Sequence, residues 1–88
     1  MLTVYKYPIS RNDTVTALSL PIGAEILKVD VQENDIFLWA KVNTEADKEI
    51  RIIEVFGTGH SMPDCERIFL NTFFVKNGMY VFHAFERL

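Results

Sequence analysis

Cysteine is almost missing from this sequence: Cys65 is the only one. A single thiol excludes an intrachain disulfide framework and a four-cysteine zinc site, and it fits a reducing compartment best. Histidine is nearly as scarce. His60 and His83 have neither HxH nor HxxxH spacing, so nothing here reads as a zinc centre. A nucleophilic Cys65 would need a base beside it, and the spacing supplies none. Positive charge is also short, with nine Lys and Arg against twelve Asp and Glu and a net charge of −3. That balance removes the field a general nucleic-acid binder uses. No apolar run approaches the roughly 18 residues of a membrane span. The opening MLTVYKYPIS carries one lysine and no long apolar segment, which predicts a chain neither exported nor membrane-spanning.

What is present is apolar and β-forming. Hydrophobic residues make up 49% of the chain and aromatics 12%, well inside the range of folded domains. Its 88 residues suffice for one core and predict a single β domain over 1–88. Leu2 to Tyr7 alternates and ends at Pro8, the pattern of an edge strand. Thr14 to Leu20 is rich in β-branched and aliphatic residues and stops at Pro21. Glu25 to Gln32 places Leu27, Val29 and Val31 opposite Lys28, Asp30 and Gln32. Glu33-Asn34-Asp35 turns the chain into Ile36 to Val42. Asn43 to Lys48 is polar and reads as a loop or one short helical turn, and Glu49 to Phe56 resumes a β run. Gly57 to Asp64 is irregular. Arg67 to Val75 and Met79 to Glu86 flank Asn77-Gly78, a strong hairpin signal. The expectation is an all-β fold of about seven antiparallel strands, a small sandwich or a partly closed barrel, with a C-terminal Asn-Gly hairpin.

Several strands are apolar on both faces. Met79, Val81 and Phe85 oppose Tyr80, Phe82 and Ala84, while Ile50, Ile52 and Phe56 oppose Ile53 and Val55. A half-buried antiparallel strand should carry a polar outer face. Barrel closure or sheet packing covers part of such an excess, and a second copy of the chain covers the rest. The sequence therefore predicts a homo-oligomer.

The most site-like segment is Gly57-Thr58-Gly59-His60-Ser61-Met62-Pro63-Asp64. Its glycines allow close backbone approach, and successive N–H groups with the Thr58 and Ser61 hydroxyls suit an anion. Gly57, Thr58, Gly59, His60, Ser61 and Asp64 are thus the candidate ligand loop. The segment has neither the lysine of a Walker loop nor the strand-to-helix context of a dinucleotide fingerprint. Tyr5, Tyr7 and Trp39 form a candidate stacking platform beside Lys6 or Arg51. His83, on the face of Val81 and Phe85, reads as a core histidine or as a polar contact in a cavity or interface. Nothing in the sequence makes a catalytic constellation, a cofactor motif or a metal site, so the expected mode of action is binding.

The segments VYKYP (4–8), LPIGAEIL (20–27), LWA (38–40), FGTGH (56–60) with Pro63-Asp64, and VFH (81–83) together resemble a widespread family of small phage-encoded proteins catalogued as a domain of unknown function. The resemblance spans the whole chain. The charged run Cys65-Glu66-Arg67 after the loop departs from the family pattern. The resemblance implies an accessory phage protein made in the host bacterial cytoplasm, with no established enzymatic activity. Such proteins counter host defences either by sequestering a nucleotide signal in an oligomer pocket or by blocking a host protein, and others are minor virion or assembly components.

Overall fold

The computed structural model describes residues 1–88. Seven strands follow one another: β1 (Leu2–Ile9), β2 (Val15–Pro21), β3 (Glu25–Gln32), β4 (Asp35–Asn43), β5 (Lys48–Gly57), β6 (Arg67–Val75) and β7 (Tyr80–Arg87). All pairings are antiparallel. They form a small three-stranded sheet, β1-β4-β3, and a large four-stranded sheet, β2-β5-β7-β6. The prolines agree with this order. Pro8 lies in β1 and Pro21 in β2, both edge strands, where a missing N–H costs no ladder bond.

Alternation builds the core. Ile9, Val29, Leu38, Ala40 and Val42 of the small sheet face Leu18, Leu20, Ile53, Phe73 and Ala84 of the large one, and all are buried. Each larger side chain removed from water this way contributes on the order of 1.5–3 kcal/mol. The sheets are not joined into a barrel, so the sandwich alternative is the one adopted. Along one side they are stitched by a side chain instead: the Asn71 amide accepts from the Val29 N–H at 2.8 Å and donates to the Val29 carbonyl at 2.7 Å. Asn71 of β6 therefore stands in for a ladder partner of β3.

The turns follow their residues closely, with two differences. Gln32 pairs with Asp35, leaving Glu33 and Asn34 alone in the turn at φ of 52° and 71°. Positive φ at both central residues is the geometry that matches strand twist in tight hairpins. The C-terminal hairpin is wider than a two-residue Asn-Gly turn: Val75 pairs with Tyr80, and Lys76 joins Asn77 at positive φ while the Met79 N–H bonds the Lys76 carbonyl at 3.1 Å. In β3 a bulge between Ile26 and Lys28 displaces Leu27, which is half-exposed instead of sharing the buried face of Val29. Thr44 to Asp47 is a turn and not helical. No helix is long and apolar enough to cross a membrane.

Candidate functional site

At the end of β5 the chain enters a tight turn. The His60 N–H donates to the Gly57 carbonyl at 3.0 Å, and Gly59, at φ +85°, occupies the position where such a turn demands a left-handed residue. The Thr58 N–H donates to the Val81 carbonyl at 3.1 Å. Both amides are committed within the fold, so the loop does not present them as the anion cradle that its glycines suggest. What the turn does is fold the His60 ring back onto Gly57. A Cβ at position 57 would meet His60 Cε1 at 2.7 Å and Nδ1 at 2.9 Å, so any side chain there would push the imidazole aside.

The imidazole so placed lines two adjoining clefts. On one side lies a cleft of about 260 Å³, walled by Thr58, His60, Met79, Tyr80, Val81 and Phe82. On the other lies a smaller, more polar cleft of about 160 Å³, where Ser10, Arg11, Asp13 and Thr14 approach His60 and Phe82. Two cations stand near these clefts. Lys76 Nζ sits 5.6 Å from the Tyr80 ring centroid, and Arg11 pairs with Asp35 at 3.4 Å. An imidazole, a phenol ring and two basic side chains can stack a flat ligand and neutralise an attached anion. Of the loop residues singled out by sequence, Gly57, Thr58 and His60 line the larger cleft, whereas Gly59, Ser61 and Asp64 line neither.

The three aromatics do not form one platform. Tyr5 pairs with Ala40 and Tyr7 with Leu38, both buried, so the tyrosines share the core face; Trp39 pairs with Lys6 on the outer face. Tyr7 packs against the core with its ring edge-on to Tyr5, 6.4 Å between centroids. Burial, and then the neighbouring Tyr5 phenol, push the Tyr7 hydroxyl above its ordinary pKa.

The outer face of the large sheet continues the cleft. Val81 belongs to both, paired with Phe74, 62% exposed; beyond the Thr72–His83 pair stands Phe69, 57% exposed, with Ile50 further along at 64%. His83, half-buried in this face, is bonded at both ring nitrogens: Nε2 to the Thr58 hydroxyl and Nδ1 to the Thr72 hydroxyl, each at 2.8 Å. Glu54 lies on the same face yet is only 1% exposed. Its oxygens accept from Arg67 Nε at 2.9 Å and Arg87 Nη2 at 2.6 Å, and the Arg67 guanidinium lies over Phe56 at 5.3 Å. Burial pushes the Glu54 carboxyl up, but the two arginines outweigh it and hold the carboxyl below its ordinary value.

Sequence reasoning missed Glu54, Arg67 and Arg87, along with the cleft residues Arg11 and Tyr80 and the Lys76 beside Tyr80. Glu54 carried a signal, as the one acid among Ile50, Ile52 and Phe56 on an apolar face. Its partners did not, because they depend on strand register.

The fold is a small all-β sandwich with two shallow clefts meeting at His60. No group of three or more His, Cys, Asp or Glu side chains converges as a metal site. The chain belongs to the DUF7352 family, a domain of unknown function, which matches residues 1–88. No curated protein and no solved structure matches it.

Proposed function

We propose that this protein acts by binding, as a homo-oligomer that holds a nucleotide-type ligand in the His60 cleft. The carrying observation is that the wall of the cleft is also part of an unpartnered apolar surface: Val81 lines the cleft and continues into Phe74 and Phe69, while Met79 at its lip is itself exposed. At about 260 Å³ the cleft falls short of the roughly 300–1,000 Å³ of pockets that enclose small molecules. A second copy seated on the apolar face would wall it further. Each Phe-sized side chain covered contributes on the order of 1.5–3 kcal/mol, so several are needed to offset the cost of association.

In the phage setting implied by the sequence resemblance, the protein works in the host bacterial cytoplasm and counters a host defence by sequestering its nucleotide signal. An imidazole and a phenol ring in one cleft, His60 and Tyr80, with Lys76 beside Tyr80 and Arg11 in the adjoining cleft, support a ligand that is both flat and anionic. The same open apolar face supports a second reading, in which it blocks a host defence protein directly.

Native mass spectrometry with cyclic di- and oligonucleotides and cyclic ADP-ribose isomers tests this. The expected result is a symmetric oligomer that retains one of them at low micromolar concentration and loses it in His60→Ala. An oligomer that retains none sinks the nucleotide reading for these ligands and leaves the host-protein reading, which affinity capture with a Phe69→Asp control then tests.

A further inference from the structure

The outer face of the small sheet carries a third cleft, about 290 Å³, lined by Trp39, Lys28, Asp30, Val31 and Gln32. Its polar side chains are there because of the β3 bulge. Ile26 pairs with Ala40 and points into the core; simple alternation would send Lys28 inward as well. The extra residue, Leu27, reverses the phase, so that Lys28 pairs with Trp39 and Asp30 with Phe37 on the outer face. Bulges commonly re-aim side chains beside binding sites.

These groups are held in place by their neighbours. Asp30 Oδ1 accepts from the Val31 N–H at 2.8 Å, and Oδ2 pairs with Lys28 Nζ at 3.0 Å. Gln32 Oε1 accepts from Lys6 Nζ at 2.9 Å, while that ammonium lies 4.4 Å from the Phe37 ring centroid. Phe37 in turn meets Trp39 edge-on at 6.1 Å. A flat, half-buried indole is thus ringed by a carboxylate, an amide and an ammonium whose positions are set before any ligand arrives, which lowers the cost of binding.

From this arrangement we infer that the Trp39 cleft is a binding site for a saccharide ring. A pyranose offers what the cleft lacks: an apolar C–H face for the indole, and rim hydroxyls that both donate and accept. Asp30 and Gln32 accept from hydroxyls, and Lys28 donates to one. The charge balance argues for a neutral ligand, since Lys28 is matched by Asp30 inside the cleft and a phosphate would meet that carboxylate. This site is separate from the His60 cleft and does not depend on it.

Trp39 is the only tryptophan, so emission excited at the red edge of its absorption, where the three tyrosines do not absorb, reports on this cleft. The protein is titrated with hexasaccharides of glucose, of N-acetylglucosamine and of galactose, with oligothymidylate as the rival ligand. The expected result is a saturable blue shift with at least one saccharide, about tenfold weaker in Asp30→Ala and in Gln32→Ala, the scale of one lost hydrogen bond. Gln32 is exposed, so its variant decides the matter if Asp30→Ala fails to fold. The inference is overturned if no saccharide moves the emission, if Gln32→Ala binds as tightly as the parent, or if oligothymidylate alone produces the shift.

Discussion

The outer faces of the two sheets solve the problem of facing water differently. On the small sheet, charges sit beside one another in exposed pairs, Lys41 with Glu25 at 3.4 Å and Lys28 with Asp30 at 3.0 Å, and Lys6 covers the Phe37 ring. On the large sheet, the Glu54 carboxylate is buried under two arginines while Phe69, Phe74 and Ile50 remain open. One face hydrates its charges and shields its aromatics. The other buries its acid and leaves Phe69 and Phe74 bare. The proposed interface rests on this apolar area, which the single chain leaves uncovered.

Substitutions sharpen this contrast. The largest effect belongs to Glu54→Ala, which strips a buried counter-ion from Arg67 and Arg87 and should lower stability by about 3 kcal/mol in urea unfolding. The same group carries the pH dependence. Its carboxyl is held below the ordinary value, so its contribution is complete above about pH 4.3 and is lost as pH falls through the lowered folded value. The parent should therefore lose stability in that acid window, and a Glu54→Gln variant should lose less there. At the other extreme, Lys41→Ala on the small sheet removes only an exposed pair and should shift stability by less than about 0.5 kcal/mol. A large loss in Lys41→Ala, or a negligible one in Glu54→Ala, would erase the distinction between the faces.

Much of the fold was legible because strand period and turn chemistry are local. Leu2 to Tyr7, Glu25 to Gln32 and Arg67 to Val75 read as strands from alternation or β-rich composition, and Pro8 announced an edge. The bulges were not legible. Nothing in Ile26-Leu27-Lys28 shows that the phase reverses there, because a bulge is set by pairing with β4. For the same reason Tyr5, Tyr7 and Trp39 looked like neighbours by residue type, although the register assigns them to opposite faces. In the loop, Gly57, Thr58, Gly59, His60, Ser61 and Asp64 were singled out together, and the structure brings Gly57 and His60 into contact. That contact is of ring on backbone, the His60 amide closes the turn, and the Thr58 amide bonds the Val81 carbonyl. The apolar excess of β5 and β7 was visible from sequence. That the uncovered part lies on one face, next to the cleft, required the sheet order.

The most direct test of the account is the assembly state of the purified protein by sedimentation velocity, compared with a Phe69→Asp/Phe74→Lys variant whose substitutions lie on the exposed face and not in the core. The account predicts a discrete oligomer for the parent and a folded monomer for the variant. A parent that sediments as a monomer at every accessible concentration, or a variant that assembles as the parent does, would contradict the claim that the large sheet's outer face is an interface between copies.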